Sequence, residues 1–361
     1  MAEIKPFRAL RYDVEKAGPL EDLVAPPYDV IDTAQREDLL AKSPHNVVHL
    51  TLPDSEEDAG QAFREWRKEG ILVPEEPGFW ALAQDYVGPD GVARSRVGLV
   101  GSLKIEPYEA GTVLPHERTH RGIKEGRLRL LRGVRTQLEP IFLLYEGAAP
   151  FEMPDGPPDL EVEGTRLWRL PDEELAAAFV DRRLLIADGH HRYETALAYH
   201  QEAGTPESGY MMVVLVSLED PGLTIFPTHR VFSSKPPTFR SLGYQPRESP
   251  EAALEELDGL SYEQAAAVLY ESGDTQLVVD GAELDVQVVD RLGHEGLSYT
   301  ADWREAVRAV DEGEAAVAVL MRPTRMEDVF QVAARGETMP PKSTYFFPKL
   351  LSGLLFYPLD Q

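Results

Sequence analysis

With 361 residues the chain is long enough for two or three packed units, since single domains usually run to about 100–200 residues. Its 36 basic and 62 acidic side chains give a formal charge of −26, which repels a phosphate backbone over the whole surface. A duplex nucleic-acid partner is disfavoured, while a small anion in a locally basic pocket is not. No cysteine is present, so disulfides, thiolate nucleophiles and cysteine-based metal sites are excluded.

The opening MAEIKPFRALRYDVE has no apolar h-region, and nowhere do about 18 apolar residues follow one another as a spanning helix requires. A soluble cytoplasmic protein with no membrane partner is the expectation. LVAPPYDVI (23–31) reads as a strand breaking into a Pro26-Pro27 loop. That loop offers Tyr28 and Asp29 on a stiffened backbone, which suits positioned substrate-binding groups and equally a plain rigid turn. Asp32 can cap a helix over 33–43 with Gln35 in the capping-box position, and NVVHLTLP (46–53) resumes as a strand. A second helix covers roughly 56–70 and stops at Gly70. GFWALAQDYVGPDGVARSRVGLVGSLKI then forms a hairpin about Pro89-Asp90-Gly91.

In LPHERTHRGIKEGRLRLLRGVRTQLEP (114–140), Leu130, Leu131, Val134 and Leu138 form one stripe of a helix counted from Ile123. Lys124, Arg132 and Arg135, joined by Arg121 upstream, occupy another arc. A basic face in so acidic a chain suits phosphate; a solvated face balancing nearby acids is the competing reading. The loop before it, His116-Glu117-Arg118-Thr119-His120, carries groups that could bind phosphate or metal. It matches the H-E-x-x-H zinc string, but Pro115 and the lack of an apolar pattern argue against the helical geometry that string needs.

Residues 146–175, rich in Pro, Gly and acid, read as a connecting or inserted excursion. LLIADGHHRYETALAYH (184–200) follows: four apolar residues run into Asp188, Gly189 breaks the run, and helical spacing starts from Tyr193. A polar cluster thus sits where a strand ends and a helix begins, where unpartnered N–H groups bind anions. Asp188 suits a base or a Mg²⁺ ligand, Gly189 a close backbone approach, and His190, His191 and Arg192 donors to phosphate oxygens. The plainer reading of the same residues is a helix cap, a buried histidine and a surface ion pair.

Downstream, GYMMVVLVSLEDPGLTIFPTHRVF supplies two strands joined at Asp220-Pro221-Gly222, and His229 with Arg230 offers a second cationic edge or a satisfied core pair. From about 243 the pattern gives helices at 248–257, 261–271 and 301–312 and strands near 276–289 and 315–321. MPPKSTYFFPKLLSGLLFY (339–357) carries Lys342-Ser343-Thr344 without the glycine-rich loop of a P-loop, and its apolar remainder suits a C-terminus docked on the core. The whole reads as an α+β fold, a mixed β-sheet with flanking helices. Region 1–145, with the basic segment 114–135, and region 146–242 pack as one unit; an α/β region spans 243–338 and an apolar tail 339–361.

KPFRALRYD, LVAPPYDVI, LPHERT, DGHHRYETAL, TIFPTHR and MPPKSTYFFPKL, six motifs in order across essentially the whole chain, resemble the bacterial and archaeal family designated domain of unknown function 1015. The Asp188–Arg192 string is similar to the signature turn of the ParB and sulfiredoxin superfamily, whose members hold nucleotide phosphates there and which includes a free-serine kinase. In sulfiredoxin a catalytic cysteine stands where this chain has His190, so that resemblance implies no sulfinic-acid reduction. With no helix-turn-helix signal or basic surface, it implies no ParB-like DNA role either. It implies a nucleotide-dependent phosphotransferase acting on a small hydroxyl-bearing metabolite, free serine being one candidate, with a nucleoside di- or triphosphate and Mg²⁺ as cofactors. Asp188 would be base or metal ligand and His190, His191 and Arg192 would meet the phosphates. Gly189, His116, Arg118, Lys124, His229 and Arg230 would complete the cofactor site, and Tyr28 and Asp29 would line the same cleft. The alternatives are a non-catalytic nucleotide sensor, a metal-dependent hydrolase using His116, Glu117, His120 and His190, and a structural scaffold.

Overall fold

The computed structural model describes residues 1–170, 174–236, 244–280 and 284–360. The chain forms two compact units, one made of residues 1–88, 93–223 and the segment from 348 onward, the other of residues 89–92 and 224–347. The fold is α+β with a mixed β-sheet flanked by helices, as composition and patterning imply. No described helix is long and apolar enough to cross a membrane.

The first unit is organised on a nine-stranded mixed sheet. In chain order its strands are β1 (Ile4–Lys5), β2 (Phe79–Val87), β3 (Ala93–Lys104), β4 (Val113–Leu114), β5 (Ile141–Tyr145), β6 (Leu160–Val162), β7 (Thr165–Leu170), β8 (Leu184–Asp188) and β9 (Tyr210–Ser217). Their order across the sheet is β4-β8-β5-β9-β3-β2-β7-β6, with β1 added along β3. β4 runs parallel to β8, and β5 parallel to β9, while the remaining pairs are antiparallel. The central strands β5 and β9 are apolar almost throughout and buried along nearly their whole length, the signature of strands covered on both faces. Ile141, Leu143, Leu184, Ile186, Val213 and Leu215 meet in one core with Tyr193 of the following helix.

Four helices of this unit bear on function: α1 (Thr33–Lys42), α2 (Glu56–Glu69), α3 (Arg121–Val134) and α4 (His190–Ala203). α1 starts with the expected capping box of Asp32 and Gln35, and α2 ends at Gly70, whose φ of 72° is the left-handed C-cap that glycine adopts without strain. The hairpin β2–β3 forms as the turn chemistry predicts.

Elsewhere the elements differ from expectation for identifiable reasons. Residues 46–53 are not a strand. Asn46 donates to the carbonyls of Asp22 and Val24 and accepts from the Val48 N–H, which starts a buried helical turn over Val48–Thr51. A buried side chain with three bonds outweighs the β-propensity of two valines. Residues 23–31 form no strand: Leu23 ends a short helix from Leu20, Ala25 makes an isolated bridge to Ser352, and a 3₁₀ turn covers Tyr28–Val30, because Pro26 and Pro27 have no N–H for a ladder. The expected excursion at 146–175 closes into the β6–β7 hairpin and extends the sheet beyond β2, while residues 171–173 lie outside the described residues.

The second unit has a six-stranded sheet built from His229–Phe232, Tyr244–Arg247, Ala265–Glu271, Asp274–Asp280, Leu297–Thr300 and Val317–Leu320. The helices expected at 248–257 and 301–312 are Pro250–Gly259 and Trp303–Asp311. The helix expected at 261–271 is instead the strand Ala265–Glu271. Its alanines are fully buried and paired with Asp274–Asp280, and Val268–Tyr270 pair on the other side as well, so sheet burial overrides helix propensity. The run at 276–289 divides into a strand ending at Asp280 and a helix over Asp285–Asp290, with 281–283 outside the described residues.

Candidate functional site

The strand-to-helix turn is where the sequence placed it. β8 carries a bulge between Ile186 and Asp188 opposite Leu143 and Phe142, and a bulge at a strand end re-aims the side chain it precedes. Gly189 follows with a φ of 101°, and a Cβ there would lie 2.6 Å from the Ile141 side chain, so both conformation and space demand glycine. It is also the N-cap of α4 and offers no side-chain acceptor to the first-turn N–H groups.

Asp188 is the centre of an ion cluster. One carboxylate oxygen accepts from Arg192 at 2.6 Å across the turn, and the other from Lys349 at 2.7 Å. Burial alone would push its pKa up, but the charges of Lys349 and Arg192 win and hold it well below the usual carboxylate range. Arg192 also donates to the Pro140 carbonyl. Burial works against its charge, yet Glu139 and Asp188 keep its pKa raised, and Lys349 is raised in the same sense by Asp188 against burial.

The segment 114–135 does meet this turn. β4 pairs with β8, and the loop after it folds over the start of α4. His190 is 5% exposed and its Nε2 accepts from the His116 N–H at 3.2 Å. His116, 1% exposed, donates from Nδ1 to the Ile186 carbonyl at 2.7 Å, and the two rings meet edge to face at 4.7 Å. Burial lowers the pKa of His116 to about 4 and, with His116 beside it, lowers that of His190 well below the ordinary imidazole value. One turn outward His191, half-buried, accepts at Nε2 from the His120 N–H at 2.8 Å, and its pKa is lowered by burial and by His120. All three imidazoles are therefore neutral at pH 7: they position the loop and bring no positive charge to an anion. Glu194 completes the clasp, accepting from Thr119 at 2.8 Å and from Lys124 at 2.5 Å.

Tyr28 and Asp29 border the same cluster. The Tyr28 N–H donates to Glu139, which also accepts from Ser352, and the Arg127 guanidinium lies 3.5 Å over the Tyr28 ring. Asp29 is exposed and close enough to raise the pKa of Arg192, Lys349 and His191. Arg118 is exposed on the loop. His229 and Arg230 belong to the second unit, each nearly buried in its sheet. The His229 Nδ1 accepts from the Met321 N–H, and Arg230 donates to the carbonyls of Thr228 and Lys342. Burial lowers their pKa values to about 4 and about 10. Much of the basic arc on α3 is balanced by acids: Arg121 pairs with Glu125, Arg129 with Glu56 and Arg132 with Glu202. Arg135 closes the helix in the left-handed conformation.

Lys349, Glu139, Glu194 and Arg127 were not singled out from sequence. Lys349 stood inside MPPKSTYFFPKL, where a lysine within an apolar tail was the available signal. Metal binding fits poorly. Both Asp188 oxygens are engaged, and among the described residues no group of three or more His, Asp or Glu side chains is placed to hold a metal ion. His116, Glu117, His120 and His190 thus do not form the expected ligand set.

Fold and site together define an α+β protein whose mixed sheet ends in a buried ion cluster at an uncapped helix start. The chain belongs to the DUF1015 family, proteins of unknown function, whose profile matches residues 4–275. No curated protein matches it. Among solved structures it is similar to a free serine kinase in complex with AMP, at 20% identity and a TM-score of 0.41 over 68% of this chain and 89% of that one. A conserved hypothetical protein from Pyrococcus furiosus gives 19%, 0.40, 68% and 93%. SbnI with a C-terminal truncation from Staphylococcus aureus gives 15%, 0.41, 71% and 87%.

Proposed function

We propose that this chain binds a nucleoside di- or triphosphate at the start of α4 and transfers a phosphoryl group to the hydroxyl of a small metabolite, such as free serine. The carrying observation is the first turn of a 14-residue helix with no side-chain cap, set between a loop clasped by histidines and the cations Arg192, Lys349 and Lys124. Backbone N–H groups and the helix dipole favour an anion there. The bound nucleotide supplies the phosphoryl group.

The parts differ from those expected of the residues singly. Asp188, locked between two cations, holds Lys349 and Arg192 in place and is not the base; it also leaves no free oxygen for a protein-held Mg²⁺. His190 and His116 prop the loop, and His191 faces the anion as a neutral donor. Asp29 is the candidate base, since it forms no ion pair or side-chain hydrogen bond among the described residues and its charge reaches Lys349, Arg192 and His191. A carboxylate so placed can take the proton of an attacking hydroxyl.

The test is calorimetric titration with nucleoside di- and triphosphates, with and without Mg²⁺, followed by phosphorus NMR for product with a panel of hydroxyl metabolites. Binding and product together support the proposal. Binding without product at any acceptor leaves a nucleotide sensor, and no binding of any nucleotide or of inorganic tripolyphosphate refutes it.

A further inference from the structure

Beside the ion cluster the first unit holds a second feature, an open cleft of about 340 Å³ between the Tyr28 turn, the 51–56 connection and the outer face of α3. Its size falls within the range of small-molecule sites. Gly122 and Gly126, one helical turn apart, leave the backbone of α3 bare on that face. A Cβ at Gly122 would meet nothing within 4 Å, and one at Gly126 only the tip of Arg129. Ile123, 41% exposed, and Leu52 add apolar surface. The Tyr28 ring, fronted by Arg127 at 3.5 Å, adds an aromatic wall. A space lined by a bare helix backbone and the stacked Tyr28–Arg127 pair accepts a planar ring by stacking and burial.

A further observation ties the cleft to the site. Arg127 makes no ion pair among the described residues. It donates to the Thr51 carbonyl at 2.9 Å, and together with Leu130 it lines both this cleft and a smaller cavity reaching Arg192 and Glu139. Lys124, between Gly122 and Gly126 on α3, pairs with Glu194 in the first turns of α4, so the helix that walls the cleft is the one that meets the start of α4.

We infer that the cleft takes the nucleoside of the nucleotide whose phosphates lie on α4, with the base against Gly122, Gly126 and the Tyr28–Arg127 pair. This rests on the phosphate reading above and extends it to the other half of the ligand. A Cβ at Gly126 meets only the tip of Arg129, so Gly126→Leu projects into the cleft while replacing glycine by a strong helix former, and the melting temperature reports on the fold.

The experiment is a calorimetric comparison of wild type and Gly126→Leu with ADP, GDP, CDP, UDP and sodium tripolyphosphate. The inference expects at least one diphosphate to bind the wild type and to lose tenfold or more in the variant, with tripolyphosphate affinity unchanged and the melting temperature equal or higher. Equal diphosphate affinity in both proteins overturns it, as does failure of all four diphosphates on the wild type. Loss of diphosphate binding in the variant, with no tripolyphosphate binding to either protein, keeps the nucleoside cleft and removes the phosphate site.

Discussion

Replacing Lys349 by Met tests whether the ion cluster is the keystone of the site. The Nζ–Oδ1 separation is 2.7 Å and each side chain is 20% exposed. At an effective dielectric of about 20 the pair's gross attraction is roughly 6 kcal/mol, most of it offset by desolvating two charges. Removing one partner of a buried pair typically costs about 3–5 kcal/mol, and because Arg192 still holds the other oxygen at 2.6 Å we expect about 2–4 kcal/mol here. The assay is urea unfolding by tryptophan fluorescence in a Trp303→Phe background. Trp66, Trp80 and Trp168 then report the first unit alone. Asp188→Asn, which leaves both Lys349 and Arg192 without their carboxylate, should cost at least as much, and the double variant less than the sum. A Lys349→Met protein within about 0.5 kcal/mol of its parent, or strict additivity in the cycle, would refute the reasoning.

Three further outcomes follow from the same contacts. His116 has a folded pKa of about 4 against 6.5, so its contribution to stability is present above about pH 6.5 and is lost as pH falls toward 4. That loss amounts to about 3 kcal/mol, and His116→Asn, which keeps a donor for the Ile186 carbonyl, should flatten the acid limb of the stability profile by that amount; unchanged acid limbs would contradict it. Gly189→Ala combines a left-handed conformation with a Cβ at 2.6 Å from Ile141 and should lower stability by about 2–4 kcal/mol, measured in the same urea assay. Asp29→Asn should lower turnover by about 10²–10⁴-fold while nucleotide affinity, read by calorimetry, changes little; full activity in this variant would remove Asp29 as base.

The strand, glycine break and helix at 184–203 were legible because the apolar run, the turn residue and the helical spacing agree locally. The capping box at Asp32 and the Gly70 stop were legible for the same reason. The sequence pattern could not say that Asp188 would be locked, because Lys349 lies 161 residues away and reaches it only through the folded tail. Histidines next to an arginine read as donors to phosphate, yet their charge depends on burial, which keeps His116 and His190 neutral beneath the loop. The short buried helix at Val48–Thr51 and the alanine-rich strand at 265–271 were misread because tertiary burial, rather than propensity, decides such segments. Glycines at 122 and 126 carry no signal within a basic run, since their meaning depends on the open surface they face in the fold.

The most direct test of the phosphate site is amide hydrogen exchange, followed peptide by peptide, with and without sodium tripolyphosphate. The account predicts slowed exchange concentrated in the peptides spanning 184–195 and 114–124, rising with ligand concentration and weakening with added salt. Saturating tripolyphosphate that leaves those peptides unchanged, or protects only others, would contradict it.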